Sequence, residues 1–371
     1  MKKFFTKIIR PGMLCFFMLI PGIQMNAQNP GKAIAWGQAL RQESNWYASE
    51  EAVRIADNLL VFQHETGGWS KNIDMARVLS KNEMEKIKLE KQKSGTELSH
   101  ATMDNGATSA QMHFLAKVYE KTGYDRFKHS FLAGVNYYLK SQYKNGGWPQ
   151  FYPIRKGYYQ HITYNDNAMV NTMNLLRDIY SGADDFKSLH LGNDLKKQLQ
   201  KAFDKGIQCI INTQIVVNGK PTVWCAQHDE KTLAPAKARS YELPSFSGAE
   251  SAGIVFLLMS IESPSDEIIA SIEGAVEWFR DHRIEGFKVT NTINTNGEKD
   301  RALVEDVNAS PLWARFYDLE TGKPFFCSRD GIKKSSIAEI DYERRNGYSW
   351  YTTAPEKVLD EFQKWKKLIK K

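Results

Sequence analysis

Apolar residues recur at three- and four-residue steps from about residue 48 to residue 281, the period of amphipathic helices that each bury one face. Ala52, Val53, Ala56, Leu59 and Leu60 make one such face, and Phe114, Leu115, Val118 and Tyr119 another. Beyond the break at Thr122-Gly123, Phe127, Phe131, Val135, Tyr138 and Leu139 make a third. A later face runs through Leu195, Leu199, Phe203, Ile207, Ile210 and Ile211. Ser263-Pro264-Ser265-Asp266 reads as the start of the last helix of this region, an N-cap serine followed by a first-turn proline. Residues 81–95 mix charges at a density that predicts a solvated helical surface. The helical rhythm breaks between residues 291 and 350. There Trp313–Tyr317 and Pro324–Ser328 flank Glu320-Thr321-Gly322, which predicts a β-hairpin, and a helix over 355–370 closes the chain.

Tryptophan loops punctuate the helices in a repeated order. Gly67-Gly68-Trp69-Ser70-Lys71-Asn72 precedes Asp104-Asn105-Gly106-Ala107-Thr108, and Gly146-Gly147-Trp148-Pro149-Gln150 precedes Asp166-Asn167-Ala168. A degenerate third pass has Val223-Trp224-Cys225 before Ser247-Gly248-Ala249-Glu250-Ser251. Trp148 follows Trp69 by 79 residues and Trp224 follows Trp148 by 76, a period longer than that of ordinary solenoid repeats. Helix pairs stacked side by side bury a continuous core by closing on themselves or by being capped. The fold expected is therefore all-α dominated: an (α/α)3 toroid with an irregular, β-containing C-terminal segment, in a single domain over residues 28–371. Like loops at like ends of such a ring would carry Asp104, Asn105 and Asp166 to one mouth.

Composition changes this picture at the N-terminus. Lys2, Lys3, Lys7 and Arg10 precede an apolar run from Met13 to Ile20 that Pro21 ends, and Asn26-Ala27 follows. This is the pattern of a signal peptide cleaved after Ala27, too short to span a bilayer, and it predicts a secreted or periplasmic protein, taken as a monomer. The leader removes four of the chain's positive charges and no negative ones, so the formal +7 falls to +3. That mild basicity suits an anionic partner, and the absence of a dense basic run excludes the usual nucleic-acid-binding pattern and leaves a polyanionic glycan as a candidate. Cys209, Cys225 and Cys327 remain in the mature chain, an odd number without paired metal-ligand spacing, and read as buried thiols with no assigned chemistry.

Asp104, Asn105 and Asp166 offer carboxylate and amide oxygens, the hard donors that Ca²⁺ prefers and zinc does not. The competing reading makes each aspartate a helix cap, a common use of the residue. Duplication in like positions favours a shared cavity. His113, His161 and His228 form no spaced pair, and consecutive His228-Asp229-Glu230 would not aim at one ion, so these histidines read as polar core or surface.

Five motifs in order now bear on the family: 145–153 (NGGWPQFYP), 163–168 (TYNDNA), 238–245 (ARSYELPS), 311–317 (PLWARFY) and 328–331 (SRDG). Together they resemble pectate lyases of polysaccharide lyase family 10, and the resemblance runs from about residue 33 to 365. It implies an α/α toroid that cleaves α-1,4-polygalacturonate in low-ester pectin by anti β-elimination with Ca²⁺. It also implies site roles: Asp104, Asn105 and Asp166 around the metal and the substrate carboxylate, Arg239 as the base at C5, and Arg315 and Arg329 on uronate carboxylates. Lys71, in the first tryptophan loop, joins the same cleft. Arginine is an unusual base because its guanidinium is normally always protonated, so activity should rise with pH. On spacing alone Arg239 reads as an ion-pair partner of Glu242 or Asp229. Two rival functions stand beside the lyase: an α/α-barrel glycoside hydrolase using Asp104 and Asp166, and a non-catalytic periplasmic acidic-glycan-binding protein stacking sugars on Trp69, Trp148 and Trp224. Clustered arginines oppose the hydrolase, which needs one carboxyl to stay protonated.

Overall fold

The computed structural model describes residues 34–93, 98 and 100–369, so the signal peptide expected over residues 1–27 lies outside the described residues. The helices are α1 (Trp36–Ala39), α2 (Glu50–Phe62), α3 (Lys81–Lys91), α4 (Ser109–Thr122), α5 (Asp125–Ser141), α6 (Ala168–Ser181), α7 (Asn193–Thr213), α8 (Glu250–Met259), α9 (Asp266–Asp281), α10 (Tyr342–Gly347) and α11 (Ala354–Leu368). They stack in two tiers. Helices α4, α6, α8 and α11 pack side by side in chain order, and α5, α7 and α9 back onto them. Helix α8 belongs to the inner tier because it is apolar on nearly every side, whereas α5, α7 and α9 are amphipathic. Among the described residues no helix is long and apolar enough to cross a membrane.

The tryptophans are the wedges between tiers. Trp69, Trp148 and Trp224 are fully buried, and each indole N–H donates to the carbonyl of a residue in the preceding helix: Leu59 at 2.8 Å, Tyr138 at 2.9 Å and Ile210 at 2.7 Å. Trp313 is buried the same way and donates to Phe279 in α9 at 2.8 Å, which makes it a fourth member of the series. None of the four can stack on a sugar. A glutamine fastens each of the first three loops to α5, α7 and α9 in turn: Gln63 Nε2 donates to Gly67 and Ser130 carbonyls, Gln142 Nε2 to Gly146 and Ala202, and Gln214 Nε2 to Thr222 and Ser271. Gly67 and Gly146 occupy equivalent turn positions at φ of 98° and 94°, where a Cβ would fall 2.0 Å from the carbonyl oxygens of Ala133 and Lys205.

Other expectations are met or revised by local physics. Helix α3 carries the charges of residues 81–91, opened by a capping box between Ser80 and Glu83. Helix α9 begins two residues later than its Ser-Pro suggested: Ser265, not Ser263, is the N-cap, accepting from Ile268 N–H, so Pro264 precedes the cap rather than occupying the first turn. The predicted hairpin around Gly322 survives as a tight turn with a single Tyr317–Pro324 bridge, because Phe316–Tyr317 pairs instead with Phe246–Ser247. The true hairpin, Phe287–Ile293 against Lys299–Glu305, was hidden by its polar, exposed alternation. Cys209, Cys225 and Cys327 are free and buried.

Candidate active site

The loops after the tryptophans build the site through a repeated backbone. Trp69 carbonyl accepts from Thr102 N–H at 2.9 Å, and Trp148 carbonyl from Thr163 N–H at 3.2 Å. Two residues after each threonine the chain makes a single 3-10 turn, Asp104–Gly106 and Asn165–Asn167. The middle residues hold the same left-handed conformation, Asn105 at φ 52°, ψ 32° and Asp166 at φ 51°, ψ 30°. The backbone therefore matches Asp104 with Asn165 and Asn105 with Asp166, one residue out of the register that the repeated Asp-Asn letters imply. Asparagine and aspartate both tolerate this conformation, so the two units can exchange carboxylate and amide without changing the turn. Neither aspartate is a helix cap: α4 and α6 have no side-chain cap at all.

The two turns meet at a cavity of about 250 Å³, whose walls include Lys71, Asp104, Asn105, Asp166, Gln150 and Arg239. Asp104 is buried at its base. Its carboxylate accepts from Lys71 Nζ, from Gln150 Nε2 at 2.6 Å and from Asn105 N–H at 3.0 Å. Asp166 stands at the rim, half-exposed, accepting from Asn165 Nδ2 at 2.8 Å and Arg315 Nη2 at 3.3 Å. Gln150 Oε1 and Gln227 Oε1, both on residues of the wall, are buried without a hydrogen-bond partner. The donors are thus carboxylate and amide oxygens, and no histidine or cysteine lines the cavity among the described residues.

Two arginines are braced by glutamates. Arg239 donates through Nε to Glu242 Oε2 at 2.7 Å and through Nη2 to Oε1, and Tyr348 O–H holds the same carboxylate at 2.7 Å. Burial alone would lower the pKa of Arg239, but the hydrogen bonds and charge of Glu242 outweigh it and raise the guanidinium above its ordinary value. Arg315 is buried, reaching Asn165 Oδ1 at 3.0 Å and Glu250 Oε1, while Ser247 O–H donates to Glu250 Oε2. Burial again opposes its charge, and Glu250 with Asp166 again raises it. Arg329 lies outside the cavity, 64% exposed, paired with Glu343 at 2.9 Å and facing the Tyr241 ring.

Sequence reasoning overlooked Gln150, Asn165 and Gln227 as wall residues and gave Glu250 no task. The threonine that follows each tryptophan loop was the available signal, since Thr102 and Thr163 set the backbone register. His228 is buried with its Nε2 accepting from Cys225 N–H, as its polar-core reading requires. The neighbouring Asp229 and Glu230 do approach a histidine, but it is His161: the three ligand atoms lie within 4.8 Å of one another. They are already satisfied by Gln160, Lys231 and Thr232 and by the His161–Glu230 pair.

Residues 63–359 match the family described as pectic acid lyase. This chain belongs to that family. Its fold is similar to that of a family 10 polysaccharide lyase from Cellvibrio cellulosa, with a TM-score of 0.73 and 33% identity over 87% of this chain and 95% of the other. It is equally similar to an aspartate-to-alanine mutant of the Cellvibrio lyase in complex with trigalacturonic acid, over 90% of this chain and 99% of the other. No curated protein matches. The chain is thus a polysaccharide lyase of family 10 with the α/α toroid expected, and its activity is that of a pectate lyase. In this lyase the oxygen-lined cavity brings together Lys71, Asp104, Asn105, Asp166 and Arg239; Arg315 reaches it through Asp166, and Arg329 stays outside.

Proposed function

We propose that the lyase cleaves α-1,4-linked polygalacturonate of low ester content by anti β-elimination in this cavity, with Ca²⁺ as cofactor, and releases unsaturated oligogalacturonides. The observation that carries the reading is the joint position of Asp104, Asn105 and Asp166 with Arg239 around one small polar cavity, with neither carboxylate spent on a helix cap. Oxygen donors alone suit a hard cation, and Asp104, Asn105 and Asp166 would hold it. When bound, the ion supplies positive charge beside the substrate carboxylate, where loss of a proton creates a second negative charge.

The chain's own groups do the rest. Arg315, held by Glu250 and Asn165, presents an already oriented guanidinium, which suits it to bind a uronate carboxylate. Lys71 neutralises Asp104 at the cavity base and stands ready for the same anionic substrate. Arg329 binds a uronate at the outer end of the cleft. Arg239 takes the C5 proton. Because Glu242 keeps it protonated, the reaction draws on its small neutral fraction, and that fraction grows with pH. The electron pair left at C5 forms the C4–C5 double bond as the glycosidic oxygen leaves C4. Methyl esters remove the charge these cations recognise, which favours low-ester pectin.

The leader of residues 1–27, with its basic start and apolar run, supports export of a catalytic domain over 28–371 to the periplasm or beyond. The activity is tested by incubating mature protein with polygalacturonate at alkaline pH, with Ca²⁺ or a chelator, while following ultraviolet absorbance of unsaturated ends. A signal that the chelator abolishes supports the proposal. Reducing sugar without unsaturated ends would replace elimination by hydrolysis.

A further inference from the structure

Lys71, Asn72 and Asn105 line the candidate cavity and also a second, larger groove of about 580 Å³. Trp36 forms part of its wall, half-buried and packed on Phe114 at 5.4 Å between ring centroids with the planes 52° apart. Gln111, 3% exposed, lies against it, with Nε2 directed at Met75 Sδ and Oε1 left without a hydrogen-bond partner. Asp74 Oδ1 accepts from the backbone N–H groups of Trp36 at 3.0 Å and Ala76 at 3.1 Å. Lys71 is the one cation among the described residues of the groove, and it stands at the junction with the cavity.

A polymer cannot be contained in the smaller cavity, and the groove is an adjoining space that shares three of its wall residues. The groove offers features that a uronate ring uses: an aromatic surface for its C–H face and, toward the cavity, the Lys71 ammonium, which it would share with Asp104. We infer that the Trp36 groove is a distal subsite that binds further galacturonate residues of the chain being cleaved. The inference rests on the polygalacturonate reading above. It makes Trp36 a determinant of chain-length preference, separate from the chemistry.

Gly37 provides the means to test it. Gly37 is a wall residue of the groove and a Cβ there meets nothing within 4 Å, so Gly37→Trp adds a large side chain at the groove wall without a backbone clash. Wild type, Gly37→Trp and Trp36→Ala are compared on trigalacturonate and hexagalacturonate by unsaturated-end absorbance, with circular dichroism to confirm folding. Expected is a fall of about tenfold in kcat/KM on the hexamer in both variants, with less than about a twofold change on the trimer. Equal effects on both lengths, or none on the hexamer in Gly37→Trp, would overturn the subsite. If wild type gives no unsaturated ends from any substrate, the lyase reading fails separately. The subsite is then decided by calorimetric titration with hexagalacturonate: binding weakened about tenfold by Gly37→Trp upholds it, and unchanged or undetectable binding to wild type and variant refutes it.

Discussion

The Glu242 carboxylate clasps the Arg239 guanidinium through two hydrogen bonds, Nε to Oε2 at 2.7 Å and Nη2 to Oε1, and accepts a third from Arg239 backbone N–H at 3.1 Å. One residue is thus both the brace that aims Arg239 and the charge that keeps it protonated. These effects have opposite consequences for a base. Replacing Glu242 by Gln removes the charge and keeps a hydrogen-bonding group, so Arg239 gives up its proton at lower pH. The alkaline rise of kcat/KM should move down by about one pH unit or more in Glu242→Gln, even as poorer aim lowers the maximum rate. A rise that stays in place, measured on polygalacturonate across pH, would mean that another group takes the proton.

Calcium dependence should track the rim carboxylate. Asp166 keeps one oxygen on Asn165 and the other at the long end of a contact to Arg315, so its ligand capacity is largely unspent. Asp166→Asn is expected to raise the Ca²⁺ concentration for half-maximal activity by about tenfold or more, with the fold unchanged. An unaltered calcium titration would remove Asp166 from the metal's shell.

The tryptophan wedges are structural, and a conservative change exposes that role. In Trp148→Phe the ring volume is mostly kept while the Tyr138 carbonyl loses the indole N–H it accepts at 2.9 Å. The cost should be about 1–3 kcal/mol by urea unfolding, from the lost hydrogen bond and the space left by the smaller ring, since the Tyr138 carbonyl keeps the Ser141 O–H. Polygalacturonate affinity should be unchanged, whereas a sugar-stacking role would weaken it.

Acid sensitivity follows from one buried and one half-buried histidine. The Cys225 N–H donates to His228 Nε2 at 3.0 Å, so the ring proton is on Nδ1, facing Leu233 carbonyl at 2.9 Å. Burial pushes His228 down to about 4, and burial with the charges of Lys91 and His100 pushes His64 down to about 4. Both stay neutral in the folded protein while the unfolded chain takes up protons below its ordinary histidine value. Stability is therefore lost as pH falls from about 6.5 to 4, by an amount on the order of 3 kcal/mol for each histidine. Urea midpoints at pH 7 and pH 4.5 check this; equal midpoints would contradict it.

Much of the fold was legible because helical periodicity and the tryptophan spacing act locally. The fourth wedge, Trp313, was not, because residues 287–305 insert a hairpin between α9 and its loop and break the spacing. The site was legible in its residue types and less so in its register. The letters align Asp104 with Asp166, whereas hydrogen bonding from Thr102 and Thr163 aligns Asp104 with Asn165, a fact set by backbone conformation. Spacing did point to the Arg239–Glu242 pair, and the structure contains it in the cavity wall itself, so the ion pair and the proposed base are one feature. Glu250 was visible in the third motif, but its service to Arg315, 65 residues later, depends on tertiary contact.

The central claim is that Arg239 acts on the substrate in the cavity and does not merely support it. Its most direct test is Arg239→Ala, assayed for unsaturated ends from polygalacturonate with Ca²⁺ at alkaline pH and, in parallel, for substrate binding by calorimetry. The account predicts that turnover is lost by about a thousandfold or more while binding falls by less than about tenfold. Turnover within about tenfold of wild type in a folded variant would contradict it.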